Sequence, residues 1–158
     1  MSDTKLEGKL QERSLAKGLL AGLIGGVVAT AAKSLSEKVY PPRIPGEPEP
    51  PAVLADKLAG HLLPGRTAAT ETIPWAFGAI AGGAYGVLAE YYPAATAKDG
   101  ASFGLALAAL THGTAVPAKE LSAKPEEQTT RERTSEMSTH VIFGLVTETV
   151  RKNIRKFL

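Results

Sequence analysis

Charge is missing from three long stretches of this chain, and that constrains its fold more than any other feature. No Asp, Glu, Lys or Arg occurs from Gly18 to Ala32, from Thr72 to Ala89, or from Gly100 to Ala118, runs of 15, 18 and 19 residues. As helices these runs would be about 22 to 28 Å long. A bilayer hydrocarbon core of about 30 Å takes roughly 17–25 residues to cross. The first run reaches that length once Lys33 is included, because its long stem lets the ammonium snorkel to the interface. A fourth uncharged stretch, Met137 to Thr147, has only 11 residues and would escape a hydropathy scan. The mean hydropathy of −0.02 conceals this segregation, because 18 Lys and Arg and 16 Asp and Glu crowd into the segments between.

The reading that follows is an all-α membrane protein, four transmembrane helices in an antiparallel bundle with a short interfacial helix. Residues 1–13 form a polar lead and 14–158 a single helical membrane domain. The spans are predicted at about 15–38, 72–91, 101–118 and 135–157. Pro41-Pro42 ends the first and Pro93 follows the second, since proline lacks the amide donor and clashes with the preceding turn. The Pro41–Pro51 stretch, PPRIPGEPEPP, reads as extended or irregular chain. Val53, Leu54, Leu58 and Leu62 then recur at helical spacing, which predicts an interfacial helix over about 52–63. The turn AATAKDG joins the second and third spans, and Lys119 to Thr134 reads as a charged loop. Acidic residues Asp3, Glu7 and Glu12 precede the first run, which argues for a retained span over a cleaved leader. Lys9, Arg13 and Lys17 before the first span, with Arg151, Lys152, Arg155 and Lys156 at the end of the fourth, put both termini on the cytoplasmic side.

Two signals concern packing. Gly18, Gly22 and Gly26 recur every fourth residue in the first span, and Gly78, Gly82 and Gly86 do so in the second. Such a glycine zipper makes a smooth groove that lets another helix backbone come close, the geometry that drives helix association in lipid. It serves either the two spans packing on each other or protomers joining in a homo-oligomer or larger membrane complex. The small net charge of +2 leaves no electrostatic footprint for nucleic acid. The absence of cysteine removes disulfides, thiolate metal sites and cysteine nucleophiles.

The chemistry concentrates in a few ionisable groups. Glu136, His140, Gly144 and Glu148 stand four residues apart and share one helix face. Ionisable residues within a span are costly and face the bundle interior, so they form a functional-site hypothesis. Counting from the span ends puts Lys33, Glu37, His112, Glu136 and His140 in one tier, the outer one for cytoplasmic termini. Glu90, Glu148 and Arg151 form an inner tier at the opposite face. The outer tier admits several chemistries. His112, His140 and Glu136 could hold a divalent metal, the two histidines could ligate a haem, or the groups could relay protons, ions or a small solute. They could equally satisfy one another as a hydrogen-bonded network that sets helix register. No nucleophile elbow, phosphate loop or dinucleotide fingerprint accompanies them, so no enzyme is expected.

Three anchors carry a family resemblance. They are Lys33-x3-Glu37-x3-Pro41-Pro42-Arg43-x-Pro45; Tyr85 through Ala89-Glu90 to Pro93, followed by His112 and Pro117; and Ser135-Glu136-x3-His140-x7-Glu148-x2-Arg151. With these the chain resembles the YagU-like family of small bacterial inner-membrane proteins, a domain of unknown function, from about Gly18 to Leu158. The resemblance implies an integral protein of the inner membrane with several spans and no assigned reaction. It also implies that Lys33, Glu37, Arg43, Glu90, His112, Pro117, Glu136, His140 and Glu148 are pattern positions. The chain departs from the family in fewer aromatic residues, more Ala and Gly, and a more charged loop before the fourth span.

Overall fold

The computed structural model describes residues 13–43, 53, 66–112 and 128–158, with the backbone alone over 66–71. The interfacial helix expected over 52–63, Pro117 with the last turns of the third span, and most of the polar lead and the 119–134 loop lie outside the described residues. The described residues are helical, without strands: α1 Leu15–Val39, α2 Arg66–Tyr91, α3 Ala101–Leu110 and α4 Thr130–Arg155. A 3-10 segment, Pro93–Gly100, joins α2 to α3. Two helices are long and apolar enough to cross a membrane, Leu15–Val39 and, within α2, Thr72–Tyr91.

Local chemistry sets the ends. Ser14 caps α1, its side chain accepting from the Lys17 amide. Thr129 caps α4 by accepting from the Glu132 amide at 3.1 Å. α4 therefore begins five residues earlier than the apolar pattern indicates, because Thr129-x-x-Glu132 is a capping-box spacing that works inside charged sequence. α2 also extends upstream to Arg66, which leaves Pro74 inside the helix. The chain reverses before α3 through Lys98, Asp99 and Gly100, all with positive φ. Gly100, at φ 89°, occupies a conformation other residues rarely adopt.

α1 packs against both α2 and α4, and α3 packs against α4. Glycine decides how closely. A Cβ built on Gly22 would lie 2.2 Å from the Gly82 carbonyl oxygen, one on Gly26 2.1 Å from that of Gly78, and one on Gly86 2.1 Å from that of Gly18. The stripes of α1 and α2 therefore face each other in antiparallel register. Gly25 rests on the backbone of Thr147, while Gly104 meets the carbonyl of His140 and Gly144 that of Gly100. These contacts run α4 antiparallel to α1 and α3 as well. Tyr85 of α2 and Phe103 of α3 stack with ring centroids 4.3 Å apart, and Phe143 of α4 lies 6.2 Å beyond Phe103.

Polarity is inverted relative to a water-soluble core. The buried set includes Thr30, Glu132, Ser135, Glu136, Thr139, His140, Thr147, Glu148 and Arg151, against the apolar Ala21, Ala29, Tyr85, Ala89, Ala108 and Phe143. Large apolar side chains point outward instead, among them Leu20, Ile24, Val28, Phe77, Ile80 and Leu105.

Candidate functional site

Two buried polar clusters sit at opposite ends of the helix pack, joined by one face of α4. The row on α4 is longer than the apolar stretch implies. Glu132, Glu136, His140, Gly144 and Glu148 recur every fourth residue and all are buried.

The first cluster surrounds Glu136. Arg43, just past the end of α1, turns back so that its Nη2 donates to Glu136 Oε1 at 3.1 Å and lies 3.7 Å from Glu132 Oε1. Its side chain is only 11% exposed, so the guanidinium is lodged among the helices. His112 Nδ1 stands 3.1 Å from the same Glu136 oxygen. That atom is buried and its angle makes no hydrogen bond among the described residues. His140 donates from Nδ1 to the Glu136 carbonyl at 2.7 Å. A backbone carbonyl only accepts, so the proton of neutral His140 sits on Nδ1 and Nε2 keeps its lone pair. The two imidazoles touch edge to face, centroids 4.9 Å apart. Ser135 Oγ donates to the Tyr40 carbonyl at 2.5 Å, tying the end of α1 to α4 beside the cluster.

Of the outer tier, the structure therefore brings together His112, Glu136 and His140. Lys33 and Glu37 pair with each other one turn apart on α1, and the Lys33 charge is felt at His140. Among the described residues no group of three or more His, Asp or Glu is placed to hold a metal ion. The cationic position on Glu136 is taken by Arg43. Axial ligation of a haem needs two rings directed at one iron from opposite sides of a macrocycle. Rings already in edge contact leave no slot for one.

The second cluster surrounds Glu148, which is 0% exposed. Arg151 grips it with two bonds, Nε to Oε2 at 2.6 Å and Nη2 to Oε1 at 2.9 Å. Tyr85 donates its hydroxyl to Oε2 at 2.9 Å. A bidentate guanidinium pair with a third donor is the arrangement that offsets the desolvation of a buried carboxylate. Glu90 does not join Glu148. Its carboxylate accepts from Arg155 Nε at 2.6 Å and from the Ser14 amide at 3.3 Å, which ties the end of α2 to the ends of α4 and α1. Lys152 reaches Asp99 at 2.7 Å on the surface, and this hydrogen bond and charge hold the Asp99 carboxyl below its usual range.

Sequence reasoning missed Glu132, Arg155 and Tyr85 as site members and knew Arg43 only as a family position. Glu132 was legible, since it continues the four-residue row by one step. Arg155 likewise stands four residues after Arg151 on a basic helix end. Arg43 carries no such signal, because it lies in a proline-rich segment without periodicity. Tyr85 opens the second family anchor, but nothing in its spacing marks it as a partner of Glu148.

Between the clusters, α3 and α4 leave no room for even a methyl group at Gly144. Gly144, midway on the row, would place a Cβ 2.2 Å from the Gly100 carbonyl and 2.8 Å from the Gly104 amide. The two polar centres are thus separated by a tightly packed backbone contact.

No curated protein and no solved structure matches the chain. A family model described as "Protein of unknown function (DUF1440)" matches residues 27–149, which hold His112, Glu136, His140 and Glu148, and the chain belongs to that family.

Proposed function

We propose that this is an integral membrane protein of the YagU-like, bacterial inner-membrane kind, with four spans and both termini cytoplasmic. In this reading it is a non-enzymatic accessory or structural subunit, and its buried Glu/His/Arg centre fixes helix register. The observation that carries the reading is the inverted polarity: charged and hydroxylic side chains lie inside while Leu, Ile, Val and Phe lie outside. In water that exposure would be costly, whereas in lipid it is the favourable arrangement. The tight contact at Gly144 supports a structural use of the two clusters over a conduit between them. The six zipper glycines face one another within the chain, so assembly into a homo-oligomer or a larger membrane complex would use the outward apolar surfaces. The test is extraction and sizing. The protein should stay with membranes through an alkaline wash and run in mild detergent as an oligomer or with a partner. A monomer that retains no partner removes the accessory-subunit reading, and recovery without detergent removes the membrane reading.

A second reading uses the same centre to pass protons, ions or a small solute. The observation in its favour is His112 Nδ1, buried beside the Glu136 carboxylate without a hydrogen bond among the described residues. Liposome flux unchanged by His112→Ala and His140→Ala would reject passage.

A further inference from the structure

At the Glu136 end, α1 and α4 leave a groove of about 450 Å³ lined by Ala32, Leu35, Val39, Tyr40, Ser138 and Ile142, among others. Its serine and threonine hydroxyls are engaged by their own helices. Ser36 donates to the Lys33 carbonyl, Ser138 to those of Thr134 and Ser135, and Thr139 to that of Glu136. Each serine and threonine on the wall has its proton engaged with its own helix, so the groove offers a filling group hydrocarbon and little else. A polar solute would lose hydration there without replacing it.

The mouth of the groove is different. Tyr40 lines it at the very end of α1, and the Arg131 guanidinium stacks 5.5 Å from the centroid of its ring. Lys38 is exposed in the last turn of the same helix. Both nearby carboxylates already have cations: Glu37 pairs with Lys33, and Glu132 faces Arg43. A tyrosine with basic neighbours above an apolar slot is what a lipid presents in mirror image, with the headgroup at the interface and the chain below. The phosphate of a phospholipid suits a guanidinium already oriented by an aromatic ring.

We infer that this groove holds one acyl chain of an anionic phospholipid, its negatively charged headgroup at Arg131; the inference rests on the membrane reading above. The probe is the full chain in nanodiscs and by native mass spectrometry, with phosphatidylglycerol and phosphatidylcholine of equal chain length in competition. Wild type should retain phosphatidylglycerol in preference, by about tenfold if one charge-assisted contact is involved. Arg131→Gln, on the surface, should abolish most of that preference, because the zwitterionic lipid, whose choline offsets its phosphate, loses less than the anionic one. Ser138→Leu, which fills the groove, should lower retention of both lipids. Equal retention of the two lipids by wild type overturns the inference, as does a preference that survives Arg131→Gln, retention unchanged by Ser138→Leu, or a polypeptide found in the groove by cross-linking. Those results leave the membrane reading standing, whereas a protein soluble without detergent removes both.

Discussion

Glu148 is fully enclosed, and at the residue scale its partners decide how stable this end of the molecule is. Removing one member of a buried ion pair strands the other charge, at a cost of about 3–5 kcal/mol. Arg151→Ala should therefore destabilise the protein by about that amount, read from unfolding in detergent. Tyr85→Phe deletes one hydrogen bond to a charged acceptor and should cost less, about 1.5–3 kcal/mol. If the two variants cost the same, the guanidinium is not the chief partner. The Asp99–Lys152 pair behaves differently because it is exposed. Its lowered Asp99 pKa adds stability that is fully present above the ordinary value of 3.8 and is lost as pH falls through the folded-state value. Lys152→Ala should move the Asp99 titration, followed by NMR, upward toward that ordinary value; an unmoved titration would rule out the pair. At this scale the sequence showed that Glu136, His140 and Glu148 belong together on one face, because helical period alone requires it. It could not show that Arg43 completes the first cluster, since that depends on how a proline-rich tail folds back.

At the scale of elements, the glycines make predictions whose sign opposes helix propensity. Alanine is the better helix former by about 1 kcal/mol, so an unpacked glycine replaced by alanine should stabilise. At Gly26 and Gly104 the new Cβ would meet backbone oxygens at 2.1 and 2.0 Å, which only a shift of whole helices relieves. Gly26→Ala and Gly104→Ala should each destabilise, by about 1–3 kcal/mol. Gly83 makes the control, because its Cβ would meet the flexible end of Leu19 at 3.0 Å. Gly83→Ala should fall near neutral, and a series without this ranking in thermal unfolding would contradict the helix packing. The spacing of the glycines, read as sequence, announced close approach but not the partner. Facing stripes on α1 and α2 and two protomers joined by the same stripes require identical residues. The cap at Thr129 lay within reach of sequence reasoning and was hidden by the charge around it.

At the scale of the whole molecule, the outward apolar belt makes the strongest demand on surroundings. Ile80 is 69% exposed on α2, where lipid would contact it. An arginine near the centre of a span costs about 2.5–3.5 kcal/mol of insertion. Ile80→Arg should therefore lower the membrane-inserted fraction in a translocation assay; an unchanged fraction would mean that α2 does not meet hydrocarbon there. The same belt explains why composition misleads: averaged hydropathy mixes the apolar runs with charged ends and connections.

Helical class, the two apolar helices and the α4 row followed from the sequence by itself, because periodicity and charge segregation are properties of neighbouring residues. Tertiary structure alone decided the pairings: Arg43 and His112 on Glu136, Arg151 and Tyr85 on Glu148, and Arg155 on Glu90 rather than on Glu148. The physical reason is reach. A helix period orders residues within about a turn of one another, whereas these partners are separated by 24 to 93 positions except for Arg151. Only the approach of helices across their glycine contacts brings such groups to hydrogen-bond distance.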